Sequence, residues 1–211
     1  MSQGKGVSFR VFTMSNLILI RHGQSVWNAS NRFTGWTDVD LSEKGVLEAE
    51  QAGRELSALR IDVVHTSDLI RAQRTAEIIM RFNESSEGAL TKYDWRLNER
   101  NYGSLQGLNK AETAEKHGAD QVHVWRRSFD VAPPGGESLQ MTAERTIPYY
   151  EEEIIPDLLD GRNVLVSAHG NSLRSIVMHI EDMSPKEIVS LEIPTGSPIH
   201  YLFEDGNVRK I

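Results

Sequence analysis

Two histidines in this sequence close apolar runs, and each is followed by glycine. His22 follows Leu17-Ile18-Leu19-Ile20-Arg21, and His169 follows Val164-Leu165-Val166-Ser167-Ala168. Unbroken Leu/Ile/Val runs of this length read as strands buried on both faces. Open α/β sheets carry their chemistry just beyond the carboxyl ends of such strands. Two imidazoles at neighbouring strand ends, with Arg21 beside the first, would line a cationic pocket around a nucleophile. Neutral imidazole attacks phosphorus, and the phosphohistidine it forms is labile enough to pass the group on. The pair therefore suits phosphoryl transfer. Gly23 would let the backbone turn tightly and approach a phosphate. By itself an Arg-His-Gly triplet is a weak signal.

The elements needed to present these residues follow from capping and periodicity. Ser42 is a plausible N-cap for a helix over 43–59, and 61–66 reads as a second strand. Ser67 or Asp68 can cap a helix over 69–82, in which Ile70, Ala72, Ala76, Ile79 and Met80 recur near helical spacing. A polar surface loop is expected over 83–89, a third strand over 93–97 and short helices over 109–117 and 120–127. Pro133-Pro134-Gly135-Gly136 breaks the chain before a long helix over 137–159 that Pro148 should kink. After the strand at 164–168 and a helix over 173–180, strands 199–203 and 208–211 flank a turn at Glu204-Asp205-Gly206-Asn207. The alternation predicts a three-layer α/β fold, a mostly parallel sheet between helices, ending in a hairpin or antiparallel edge strand. Residues 14–211 are read as a single catalytic domain, and 1–13 as an extension, disordered or non-native, since Met14 could start the chain.

Bulk properties narrow the function. The 211 residues are 39% hydrophobic and 25% charged, as in an ordinary globular protein, with a formal net charge of −7. That balance argues against nucleic-acid or anionic-membrane partners, which need a basic face. It leaves room for a small anionic substrate held by local arginines. The absence of cysteine removes disulfides, zinc–thiolate sites and thiol nucleophiles. The sequence has no apolar run of membrane-spanning length and no signal peptide, which agrees with a cytoplasmic location. No His/Asp/Glu grouping has metal-ligand spacing, so no metal is expected.

Longer motifs carry a resemblance. Leu19-Ile20-Arg21-His22-Gly23-Gln24-Ser25 with Trp27-Asn28 resembles the signature of the histidine phosphatase superfamily. Asn31-Arg32-Phe33-Thr34-Gly35-Trp36 narrows this to the phosphoglycerate mutases that depend on 2,3-bisphosphoglycerate. Thr66-Ser67-Asp68-Leu69-Ile70-Arg71-Ala72, Leu97-Asn98-Glu99-Arg100-Asn101-Tyr102-Gly103, Leu105-Gln106-Gly107-Leu108-Asn109-Lys110, Trp125-Arg126-Arg127 and Ala168-His169-Gly170-Asn171-Ser172-Leu173-Arg174 are similar in the same order. The resemblance implies His22 as phosphorylated nucleophile, with His169, Arg21 and Arg71 clamping the phosphoryl oxygens. It implies Glu99 as general acid and base, and neutral donors from Asn28, Gly170 and Asn171. Thr34, Gly35, Tyr102, Lys110, Arg126 and Arg127 would bind the substrate's carboxylate and second phosphate. Implied too are 2,3-bisphosphoglycerate as primer and intermediate, a phosphoglycerate substrate, and a homodimer as one option for assembly. Whether arginines keep Glu99 ionised or a bound anion protonates it is open at this point.

Two departures qualify the resemblance. Longer relatives insert a segment where Pro133-Pro134-Gly135-Gly136-Glu137-Ser138-Leu139 runs straight through, and they continue past the position of Ile211 as a tail over the site. Freer access of water would add some bisphosphoglycerate phosphatase activity. The rival readings are a phosphomonoester phosphatase of the same superfamily and a non-catalytic phospholigand-binding regulator.

Overall fold

The computed structural model describes residues 14–211, so the expectation for 1–13 lies outside the described residues. The chain runs β1 (Met14–Arg21), α1 (Val26–Ala29), α2 (Glu43–Leu56), β2 (Val63–Thr66), α3 (Ile70–Met80), β3 (Leu90–Tyr93), α4 (Lys110–His117) and α5 (Ala119–Arg127). It continues through α6 (Leu139–Tyr149), α7 (Ile155–Leu159), β4 (Val164–Ala168), α8 (Gly170–Ile180), α9 (Pro185–Ile188), β5 (Pro198–Glu204) and β6 (Asn207–Lys210). The strands make one sheet in the order β3-β2-β4-β1-β5-β6. β3, β2, β4 and β1 are parallel, while β5 and β6 close the sheet antiparallel. Asp205 and Gly206, both at positive φ, form the two-residue turn between β5 and β6.

Leu17, Ile18, Leu19 and Ile20 are fully buried because β1 is covered on both faces. Leu17, Leu19, Val164 and Val166 pack against Tyr149, Leu158, Leu173 and Ile176 of α6, α7 and α8. Ile18, Ile20, Val64 and Leu165 pack against Ala52, Leu56, Ala76 and Ile79 of α2 and α3. Alternate residues of the same strands thus feed two separate cores, which is why the runs show no polar alternation.

Several expectations shift. The third strand is Leu90–Tyr93, earlier than 93–97, and Trp95–Leu97 is a single tight helical turn. There Asp94 takes the backbone N–H of Arg96 and pairs with its guanidinium, a local bond that outcompetes strand pairing. α3 is capped by neither Ser67 nor Asp68: the N–H of Ile70 donates to Asp38 Oδ1, a carboxylate from a distant loop. The long helix is interrupted by a wide π turn over Tyr150–Ile154, lying between Pro148 and Pro156, each of which lacks an N–H for the ladder. The 83–89 loop is at the surface, but buried Asn83 and Ser86 tie it down by bonding Leu56 O, Leu59 O and Ile61 N. α8 begins at Gly170, three residues sooner than the periodicity indicated, with His169 as its N-cap.

Candidate active site

β1 and β4 are adjacent and parallel with Arg21 opposite Ala168, so the next residue of each strand is a histidine. The His22 N–H donates to Ala168 O at 3.0 Å, and the two rings sit edge to face with centroids 5.0 Å apart. Gly23 is needed for a reason other than phosphate approach. A Cβ there would fall 2.2 Å from Gly45 O, because the loop after β1 is pressed against the first turn of α2, capped by Ser42.

A hydrogen bond fixes the proton position on the His22 ring. His22 Nδ1 lies 2.7 Å from Gly23 O. A carbonyl only accepts, so Nδ1 carries the proton and Nε2 keeps its lone pair. Ser67 Oγ accepts the Leu69 N–H and lies 2.7 Å from His169 Nε2. That ring nitrogen is the other partner of the hydroxyl among the described residues, and the bond ties His169 to the end of β2. Burial, then the charge of Arg71, holds both imidazoles neutral, well below their ordinary pKa.

Several buried polar groups around them lack partners. Arg71 gives its two terminal nitrogens to Thr37 O and Gly35 O, and Arg21 gives one to Ile193 O. Nε of Arg21, Nε of Arg71, Thr34 Oγ1 and His169 Nδ1 are buried with no hydrogen-bond partner. Burial lowers the Arg71 pKa only to about 10, so it stays cationic. Asn28 closes a capping box with Ser25 through its Oδ1, which leaves Nδ2 for the cavity. The N-terminus of α8 begins at Gly170, adding the partial positive charge of a helix start.

Glu99 stands between two adjoining cavities. Its Oε1 accepts from Arg100 N, Asn171 N and Asn171 Nδ2, while Oε2 takes no bond among the described residues. Its carbonyl is gripped by Trp36 Nε1 and Arg145 Nη2. Burial raises its pKa, but the bonds from Asn171 and Arg100 and the charges of Arg21 and Arg71 outweigh this and bring it below the usual value. The unliganded carboxyl is ionised.

The first cavity, about 70 Å³, holds His22, Asn28, Thr34, Gly35 and Arg71, and the second, about 110 Å³, holds Arg126, Arg127, Gly170 and Asn171. Arg21, Glu99, Tyr102 and Lys110 line both. Every site residue singled out in the sequence lines one or both cavities except His169, which lines neither and packs its ring against that of His22. The sequence reading assigned no role to Ser67, Arg32, Arg174 or Glu192. The first three lie within the recognised motifs, whereas nothing local marks Glu192. Among the described residues no three His, Asp or Glu side chains gather as a metal-binding group, and no helix is long and apolar enough to cross a membrane.

Comparison with known proteins accords with this architecture. The model for the histidine phosphatase superfamily (branch 1) matches residues 17–210. The 2,3-bisphosphoglycerate-dependent phosphoglycerate mutase of Xanthobacter autotrophicus is 54% identical, over 92% of this chain and 95% of its own. The protein of the same name from Protochlamydia amoebophila is 49% identical, over 93% and 99%. Among solved structures, mycobacterial glucosyl-3-phosphoglycerate phosphatase superposes with a TM-score of 0.80 at 26% identity, covering 93% of this chain and 97% of that one. Phosphoglycerate mutase from Bacillus anthracis shares the fold with a TM-score of 0.75 at 24% identity, over 94% and 92%. The superfamily thus houses both mutases and phosphatases, and relatives at about half identity over most of the chain carry the mutase name. With the family model spanning almost all of the described residues, the chain belongs to branch 1 of the histidine phosphatase superfamily and, within it, to the phosphoglycerate mutase family.

Proposed function

We propose that this protein interconverts 3-phosphoglycerate and 2-phosphoglycerate, in glycolysis and gluconeogenesis, through a phosphohistidine at His22 Nε2. The observation that carries the reading is a small cavity lined by Arg21, Asn28 and Arg71 beside an imidazole whose Nε2 lone pair is free, with Nε of both arginines buried and unpartnered. An anion with several oxygens would supply the acceptors that these donors lack. Phosphoryl transfer asks for such fixed charges more than for covalent chemistry by the protein.

Substrate binding falls to both cavities. Arg21, Arg71, His169, Asn28 and the start of α8 hold the phosphoryl group in flight. Lys110, Tyr102, Arg126 and Arg127, with Thr34 and Gly35, hold the carboxylate and the second phosphate. That second cationic chamber favours a mutase over a simple phosphatase, since a lone phosphoester needs only one. The same residues fit 2,3-bisphosphoglycerate, which as primer and intermediate supplies the phosphoryl group that charges His22.

Glu99 moves the proton. When the substrate hydroxyl attacks the phosphohistidine, an O–P bond forms, the N–P bond breaks and Nε2 recovers its lone pair. The hydroxyl proton goes to Glu99, which is ionised in the unliganded protein and so starts as a base. In the second half His22 takes the other phosphoryl group and Glu99 returns the proton to the leaving oxygen. No metal is part of this reading, because guanidinium groups carry the charge neutralisation. A cytoplasmic homodimer is the accompanying expectation.

A coupled assay with and without 2,3-bisphosphoglycerate tests the proposal. Mutase turnover should require the primer, vanish in His22→Ala while the thermal unfolding curve is kept, and survive EDTA. Release of phosphate from phosphomonoesters with no isomerisation would replace this reading with the phosphatase one. Retained mutase activity in His22→Ala would overturn it altogether.

A further inference from the structure

The distal cavity already holds an anion of its own. Glu192 lies in the segment between α9 and β5, with its backbone fastened on both sides by arginines of the site: Arg174 Nε donates to Leu191 O and Arg21 Nη1 donates to Ile193 O, both at 2.8 Å. The side chain is thereby delivered into the chamber lined by Lys110, Arg126, Arg127 and Arg174. Its Oε1 lies 2.6 Å from Arg127 Nη2 and its Oε2 lies 3.5 Å from Arg174 Nη2. A carboxylate bridging two guanidinium groups is the arrangement that the substrate's own distal anion would make.

We propose that Glu192 is a resident counter-ion of the distal subsite, competing with the substrate's second anionic group for Arg127 and Arg174 and so setting affinity for phosphoesters by the charge they carry there. This deepens the mutase reading and rests on it. The side chain is 65% exposed, so water can take over its solvation and the bridge opens at little cost. Arg174 is the buried partner, at 11% exposure, where an anion offsets the loss of water around its charge beyond what its neutral acceptors Leu191 O and Asn171 Oδ1 supply. Glu192 supplies one between turnovers. An incoming phosphate, with more charge and more acceptor oxygens, displaces it more readily than an incoming carboxylate does. A phosphoester without a second anion leaves the bridge closed, and its binding should be indifferent to Glu192.

Calorimetric titration of the unliganded protein tests this without requiring turnover. Glu192→Gln, nearly isosteric and largely exposed, should bind 3-phosphoglycerate about two- to fivefold tighter, the range that exposed ion pairs command. Binding of inorganic phosphate, which needs only the chamber at His22, should stay the same. Unchanged or weaker binding of 3-phosphoglycerate would overturn the proposal, weaker binding meaning that Glu192 merely props the arginines. Equal tightening of both ligands would overturn it as well, as a general field effect. The outcome is separate from the mutase reading, which stands or falls on primer-dependent turnover of the native protein.

Discussion

At the scale of single residues, the site depends on keeping an imidazole neutral among cations. Burial and the charges of Arg71 and Arg21 all disfavour a proton on His22, while its bond to Gly23 O fixes the remaining one on Nδ1. The folded pKa is therefore well below 6.5. The nucleophile should stay competent as acidity rises through pH 6.5, so the acid limb of kcat/KM should lie below that value. A limb at 6.5 or above would mean that His22 titrates as if exposed. Glu99 has a different task. Its Oε1 is fully engaged and its Oε2 is free, so Glu99→Gln can preserve the anchoring while removing the proton carrier. Steady-state kinetics of that variant should show kcat reduced by about 10²-fold or more with a much smaller change in KM. Comparable losses in both would assign Glu99 to binding.

At the scale of elements, the pairing of two strands does most of the positioning. Parallel β1 and β4, in register at Arg21 and Ala168, set the two histidines side by side without help from any loop. The turn after β1 then fits only because Gly23 and Gly45 touch backbone to backbone. Gly23→Ala puts a methyl into a carbonyl that belongs to α2 and cannot swing away. It should destabilise the fold by about 1–3 kcal/mol, as overpacking does, and lower kcat by displacing His22, both visible in urea titration and turnover. Wild-type values of both would mean that this contact yields easily. Such pairwise fits explain what the sequence made legible. The apolar runs at 17–20 and 164–168 announced the central strands, and the motifs around them named the residues that meet, because a buried parallel strand reads directly as composition. The cap of α3 was not legible, since Asp38 reaches Ile70 from a loop with no periodic tie to it. Pro148 announced a break in the long helix but not its form as a wide turn over Tyr150–Ile154, and nothing local announced the role of Glu192, an isolated acid beyond a short helix. The cap and the acid each depend on a partner far along the chain, which local pattern does not encode.

At the scale of the whole molecule, charge and burial are segregated. A chain of net charge −7 concentrates seven cationic side chains against two carboxylates in its paired cavities. The same segregation leaves buried histidines that the fold cannot afford to charge. Besides His22 and His169 there is His65 on β2, fully buried between α6 and α7, with Tyr149 Oη 2.7 Å from Nδ1 and Asp157 Oδ2 2.9 Å from Nε2. Burial lowers its pKa, and Lys92 adds to the effect. Asp157 and Glu153 oppose them, and the balance falls at about 4. In the unfolded chain the same group titrates near 6.5, so between these values the unfolded state binds a proton that the folded state refuses. Stability is therefore complete above about pH 6.5 and is lost as pH falls toward 4, with His65 alone responsible for about 3 kcal/mol. His22 and His169 act in the same direction. The urea midpoint should hold steady from pH 8 to 7 and then drop steeply by pH 4.5. His65→Gln supplies one donor for Asp157 and one acceptor for Tyr149 without titrating, so it should flatten part of that slope while leaving the midpoint at pH 7.5 within about 1 kcal/mol of the native protein. A midpoint as high at pH 4.5 as at pH 7.5 in the native protein would show that these imidazoles take up protons without leaving their buried places.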